Sequence, residues 1–245
     1  SVICNTALIA AISIAVRPGK VEPRTLRTPV LFFFAAAAVY CITAYTTGYF
    51  SRPIGILLLS VFGIYLIVTV LQMKNAPQPS LPQQTAPPVS LGHLLFLLVL
   101  GAALIAAGAH LLVDNGTLIA QALGVPESAI ALTMVALGTS LPELATAVTS
   151  LLKGHSDLSL GNVIGANLFN LVLVCGMSVT LAPFHVPQSA VIAGMNSSLV
   201  FEIPVMLGVM LLLTLPALLR GRLSRLQGIA LLAIYAAFCT VQFTL

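Results

Sequence analysis

The sequence predicts an all-α, polytopic membrane protein assembled from inverted five-helix repeats. Three observations carry that prediction. The composition is 59% hydrophobic and 7% charged with a mean hydropathy of +1.09, values no soluble domain of 245 residues carries. Basic residues fall almost wholly in alternate junctions between the apolar runs. A stretch near position 50 recurs near the C-terminus with the same small and basic residues in the same order.

The chain opens on "SVICNTALIAAISIAV", which is apolar but shorter than a membrane span. It begins at Ser1, without a basic n-region or a cleavage pattern, so we read it as starting partway through a transmembrane helix. Seven full spans are expected after it, at 29–47, 54–73, 91–113, 127–152, 158–181, 199–219 and 226–245. Pro29, Pro53 and Pro126 sit near helix starts, where a missing N–H costs little. The segment "NAPQPSLPQQTAPPVS" (75–90) carries five prolines and no charge, and reads as an extended linker. It separates residues 1–74, the remainder of a first repeat, from residues 91–245, a second repeat. Cys4, Cys41, Cys175 and Cys239 stand singly in apolar runs without metal-ligand spacing.

Charge orients the chain. Counting junctions from the partial helix, the first holds Arg17, Lys20, Arg24 and Arg27, and the third holds Lys74. The fifth holds Lys153, and the seventh holds Arg220, Arg222 and Arg225. Only Arg52 of the 10 basic residues lies on the other side. The basic side is expected to be cytoplasmic, which makes this a multi-pass inner-membrane protein with its C-terminus outside. The net charge of +4 therefore reports topology. The expected partner is the lipid bilayer; neither a nucleic acid nor a protein partner is indicated.

The repeat is collinear. "GYFSRPIGILLLSVFGIY" (48–65) matches "GRLSRLQGIALLAIYAAF" (221–238) at a constant offset of 173. "TPVLFF" (28–33) stands near the place corresponding to "IPVMLG" (203–208), and "SVICNTALI" (1–9) aligns with "ANLFNLVLV" (166–174), Asn5 opposite Asn170. Corresponding helices are five spans apart. Five is odd, so each crosses the membrane opposite to its partner, a construction of secondary transporters that bind substrate near the midplane.

One acidic residue stands apart. Glu22, Asp114, Glu127, Asp157 and Glu202 lie in loops or near span ends, whereas Glu143 lies deep within "ALGTSLPELATAVTS" (136–150). A charge there costs at least about 2.5–3.5 kcal/mol, so an intramembrane carboxylate is a functional candidate. No Lys or Arg is expected at that depth to pair with it. Ala136, Thr139, Ser140, Glu143 and Ala147 share one helical stripe by their three-and-four spacing. Pro142 cannot donate to the Gly138 carbonyl, so the helix should open there and free backbone oxygen. Carboxylate, hydroxyl and carbonyl oxygens suit a hard cation such as Ca²⁺ or Na⁺ better than zinc or copper. In "GNVIGANLFN" (161–170), Asn162, Asn167 and Asn170 share one broad face and are expected to line the same site. His93 and His110 are expected at the membrane interface, and His155 in a solvated loop.

These two stretches resemble the sodium/calcium exchanger family of the cation/Ca²⁺ antiporter superfamily, in its bacterial and archaeal ten-helix form. The resemblance extends over the whole chain, with the second α-repeat at 136–170. It implies cation-binding roles for Glu143, Ser140, Thr139 and the backbone of Ala136. Asn170 falls where some members carry Asp, and Ala166 where a Ser is common. Ser1 and Asn5 match third-helix positions of the first repeat, and Val2 stands where that pattern expects Asn. It also implies that two helices and the start of a third, with a second glutamate, precede Ser1 in the intact protein. Glu143 alone would leave a bound Ca²⁺ with a net charge of +1, so residues 1–245 alone are not expected to exchange ions.

The expected function of the intact protein is exchange of Ca²⁺ for Na⁺ by alternating access, without a cofactor. Coupling to H⁺ is the alternative. The "GTSLPE" context favours Na⁺, since the proton-coupled branch carries its glutamate in a Gly-Asn-x-x-Glu setting. A truncated, non-transporting remnant is a further alternative. An intramembrane enzyme using Glu143 is disfavoured, because no His, Asp or Lys is expected at its depth to act with it.

Overall fold

We describe the protein from a computed structural model over residues 1–75, 90–125, 127–130, 133–134, 136–153, 156–188 and 190–244. The proline-rich linker, Pro126 and His155 fall outside the described residues. Ten helices are described. They are α1 (Cys4–Val16), α2 (Pro23–Thr46), α3 (Arg52–Asn75), α4 (Leu91–Ala122) and α5 (Glu127–Ile130). After them come α6 (Ala136–Thr139), α7 (Leu141–Leu152), α8 (Leu160–Leu181), α9 (Ser198–Arg220) and α10 (Arg225–Thr244). Six of these are long and apolar enough to cross a membrane: α2, α3, α4, α8, α9 and α10.

Two expected spans differ from the prediction. The 91–113 span continues to Ala122 as a 32-residue helix, about 48 Å long at 1.5 Å per residue. It exceeds the roughly 30 Å hydrocarbon core, so it must tilt or project. His110 and Asp114 pair at 2.7 Å on its exposed surface. The 127–152 span is broken at Ser140, between α6 and α7, beside the proline expected to open it. The continuous stripe expected from Ala136 to Ala147 is therefore interrupted at Ser140.

The inverted repeat is visible in the backbone. Both α1 and α8 contain a π-helical stretch, Cys4–Ala10 and Asn170–Val174. Both end in the same way: Arg17 caps α1 at φ −135°, ψ 76°, and Ala182 caps α8 at φ −134°, ψ 90°. After α1, Lys20 bridges Arg222, and the Val21 N–H donates to the Gly221 carbonyl at 2.9 Å. After α8, β2 (Phe184–His185) pairs antiparallel with β1 (Tyr49–Phe50), and the Val186 N–H donates to the Gly48 carbonyl at 2.8 Å. Gly48 and Gly221 adopt left-handed backbone at φ +62° and +60°, which glycine alone enters without cost. The two contacts occupy opposite ends of the bundle. The first joins the Arg17–Arg27 junction to the Arg220–Arg225 junction, so the two richest basic segments lie side by side.

Helix packing repeats as well. A Cβ added to Gly55 of α3 would meet Gly176 and Thr180 of α8; one added to Gly228 of α10 would meet Ala11 and Ala15 of α1. Bare glycine lets each helix pair approach by its backbone, the route to tight packing where lipid removes the hydrophobic drive. Ala7, Ala11, Ala36, Ala37, Ala147 and Ala217 are buried for the same reason. Pro216 within α9 leaves the Leu212 carbonyl without its helical donor. Buried Gln227 of α10 supplies one, Nε2 donating to that carbonyl at 2.6 Å. The hairpin β3 (Val191–Ile192) and β4 (Met195–Asn196), placed between α8 and α9, has no counterpart in the connection between α1 and α2.

Candidate cation site

The break between α6 and α7 sets the local geometry. Ser140 sits at φ −99°, ψ 1°, in the sparsely populated bridge between helix and strand. Its N–H bonds the carbonyls of Ala136 at 3.2 Å and Leu137 at 3.0 Å, tightening the last turn of α6. Pro142 then occupies the first turn of α7, where its missing N–H is tolerated, and it offers nothing to the Gly138 carbonyl. Glu143 lies in the same first turn, at the positive end of the α7 dipole. Packing holds the break in place: Val113 of α4 presses on Gly138, where a side chain would collide.

Three segments meet here, because α1 packs against both α7 and α8. At their junction, five buried side-chain atoms lack any hydrogen-bond partner among the described residues: Asn5 Oδ1 and Nδ2, Ser140 Oγ, Glu143 Oε2 and Asn167 Oδ1. Cys4, the neighbour of Asn5, lies beside Ser140 and within electrostatic reach of Glu143. Its thiol makes no hydrogen bond of ordinary geometry to Ser140 Oγ. Each such atom costs about 1–3 kcal/mol if nothing satisfies it, which makes these residues the candidates for holding a ligand. Four of the five are oxygens, one of them a carboxylate oxygen, the donors a hard cation takes. Among the described residues, no three His, Cys, Asp or Glu side chains come together.

The remaining candidates take other places. Thr139 Oγ1 donates to the Ala136 carbonyl at 3.0 Å, so Ser1 Oγ, 2.7 Å away, is the donor between Ser1 and Thr139. The Ala136 carbonyl thus accepts two bonds. The three asparagines of α8 lie in different surroundings. Asn162 Nδ2 donates to Thr146 Oγ1 at 3.1 Å, beside Glu143 in a cavity of about 440 Å³ that Ala166 also lines. Asn167 is fully buried. Asn170 lines a different cavity, of about 810 Å³, with Ser1, Thr139 and Glu202.

Four polar or sulfur groups around the site escaped the sequence reading. Thr146 bonds the Glu143 carbonyl at 2.9 Å, and Thr6 and Met210 bond Asn167. Glu202 accepts from Ser198 at 2.9 Å, Ser197 at 3.3 Å and Gln242 at 3.4 Å. Glu202 carries a legible signal, an acid at the start of the apolar 199–219 run. Met210 carries none, since a methionine in an apolar helix looks like filler.

Comparison with known proteins agrees with this architecture. Residues 93–244 match the family described as sodium/calcium exchanger protein. The chain is 35% identical over 200 residues to the putative antiporter CaxA of Alkalimonas amylolytica, covering 80% of this chain and 60% of that protein. It is 37% identical over 149 residues to the sodium/calcium exchanger MaX1 of Methanosarcina acetivorans, covering 61% of this chain and 40% of that protein. The chain thus spans less than two thirds of the length of these two relatives. Its fold matches the sodium-calcium exchanger NCX_Mj, solved after soaking in Na⁺ and Sr²⁺. That match has a TM-score of 0.72 and 29% identity, and covers 96% of this chain and 72% of the other. By sequence and by fold, the chain belongs to the sodium/calcium exchanger family.

Proposed function

We propose that the intact protein is a secondary antiporter of the inner membrane, exchanging Ca²⁺ for Na⁺ by alternating access. The carrying observation is the set of buried, unpartnered atoms on Asn5, Ser140, Glu143 and Asn167, contributed by both repeats. In this reading Glu143 supplies the negative charge. Ser140, Asn5 and Asn167 supply neutral oxygens, and the Gly138 carbonyl is a further donor. Thr139, Ser1, Ala136, Asn162 and Asn170 belong to the approaches on either side.

Alternating access has support in the two cavities. One is lined by Gly161 to Phe169 of α8, the other by Asn170 to Ser178 of the same helix, and Glu143 and Thr139 face them in turn. In this reading they open on opposite sides of the α6–α7 break. We assign the Asn162 side to the cytoplasm, because α8 enters from the Lys153 junction. The C-terminus is then outside. Residues 1–74 are read as the remainder of the first repeat and 91–245 as the second.

Sodium is favoured over the proton as the coupling ion. The hydroxyls of Ser140 and Thr139 stand beside the carboxylate, and neutral oxygens serve a sodium ion but do nothing for a proton. The test is Ca²⁺ flux into vesicles bearing the protein made from its full reading frame, driven in turn by a Na⁺ gradient and by a pH gradient. Uptake under the Na⁺ gradient alone is expected. Uptake under the pH gradient alone would replace Na⁺ by H⁺, and uptake under neither would remove the antiporter reading.

A further inference from the structure

Asn167 is a buried amide with two chemically different ends, and its surroundings choose between them. Nδ2 donates to Thr6 Oγ1 at 2.8 Å and to the Met210 thioether sulfur at 3.3 Å. Thr6 Oγ1 in turn donates to the same sulfur at 3.2 Å. Thr6, Asn167 and Met210 are all fully buried, and they come from α1, α8 and α9. A thioether carries no proton and can only accept. The amide end facing Met210 must therefore be the NH₂, because a carbonyl oxygen there would meet a sulfur with no hydrogen between them. The Thr6 hydroxyl gives its one proton to the sulfur, so toward Asn167 it too can only accept.

We propose that Met210 and Thr6 are positioning residues of the cation site. Together they consume the amide donors of Asn167 and hold its carbonyl oxygen, which has no partner among the described residues, as the end presented to the ion. With the amide turned over, a partly positive NH₂ would face the cation in place of an oxygen. The inference rests on the proposed role of Asn167 as a ligand. It adds a residue from α9, a helix that contributes none of the ligands named above. It also explains why a sulfur stands among the polar groups of this membrane core: leucine would fill the same volume but would not distinguish the two ends of the amide.

The test reads Ca²⁺ binding as the Ca²⁺-dependent rise in melting temperature of the full-length protein, with Na⁺-driven Ca²⁺ uptake alongside. Met210→Leu conserves volume, so the ion-free melting temperature is expected to stay close to wild type. Its apparent Ca²⁺ affinity is expected to fall about threefold to tenfold, the scale of one net hydrogen bond. Thr6→Val, nearly isosteric, is expected to act in the same direction and serves if Met210→Leu does not fold. The decisive arm uses an Asn167→Asp background. A carboxylate has oxygen at both ends, so adding Met210→Leu to that background should cost no Ca²⁺ affinity. Loss of the same factor in the wild-type and the Asn167→Asp backgrounds, or wild-type affinity in both Met210→Leu and Thr6→Val, would overturn the proposal. A wild-type protein that neither binds nor transports Ca²⁺ would instead remove the underlying functional reading.

Discussion

Gln227 Nε2 donates to the Leu212 carbonyl at 2.6 Å, and that carbonyl is the acceptor Pro216 leaves open four residues later in α9. Inside a membrane an unsatisfied carbonyl has no water to turn to. The glutamine of α10 therefore repairs a defect in its neighbour and ties the two helices together. Gln227→Leu should lower stability by about 1–3 kcal/mol, the cost of an orphaned buried polar group. In a Pro216→Ala background, where the helix can satisfy its own carbonyl, the same change should cost clearly less. Melting temperatures of the four proteins of this cycle in detergent give the answer. Equal losses in both backgrounds would show that Gln227 does not serve this carbonyl.

Gly228 and Gly55 make a matched pair of predictions. A Cβ on Gly228 would stand 2.6 Å from the Ala15 amide nitrogen and 2.8 Å from the Ala11 carbonyl oxygen. Backbone cannot swing aside as a side chain does. Gly228→Ala and Gly55→Ala should each destabilise by about 1–3 kcal/mol, the usual range for overpacking. Gly63, on α3, has no described atom within 4 Å of its would-be Cβ, so Gly63→Ala should be neutral in the same melting assay. If all three behave alike, close backbone approach is not what these positions require.

Glu143→Gln keeps the shape of the side chain and removes its charge. Ca²⁺ affinity should fall at least about tenfold, since a charge-assisted contact to the ion is lost. Vesicle uptake driven by Na⁺ should fall with it. The ion-free protein should melt at or above the wild-type temperature, because a neutral amide is cheaper to bury than a carboxylate. Normal Ca²⁺ uptake by this variant would remove Glu143 from the site.

Asn5 gives the sign test. Neither Nδ2 nor Oδ1 has a partner among the described residues, although the side chain is fully buried. Asn5→Ala removes two orphaned groups, so without ions the variant should be as stable as wild type or more so. With saturating Ca²⁺ the order should reverse, because a ligand is gone. Opposite shifts in the two melting curves are the expected outcome. A uniform loss of stability with and without Ca²⁺ would make Asn5 a packing residue.

The sequence by itself determined the membrane class, the alternation of basic junctions and the collinear repeat. Each of these is periodic or compositional: a span needs about 20 apolar residues, and Gly48 and Gly221 recur because the same left-handed turn recurs. It also exposed Glu143, since a carboxylate amid apolar residues needs no three-dimensional context to be conspicuous. Tertiary structure decided the rest. Whether Pro142 kinks a helix or ends one depends on what packs against Gly138, and Val113 is 25 residues away in the chain. The asparagines of α8 read as one face in a helical projection. They separate into two cavities and a buried core because α1, α7 and α9 approach different sides of that helix. Met210 shows the limit most plainly. A thioether in an apolar run carries no pattern, and only the approach of α9 to α1 and α8 turns it into the acceptor that orients an amide.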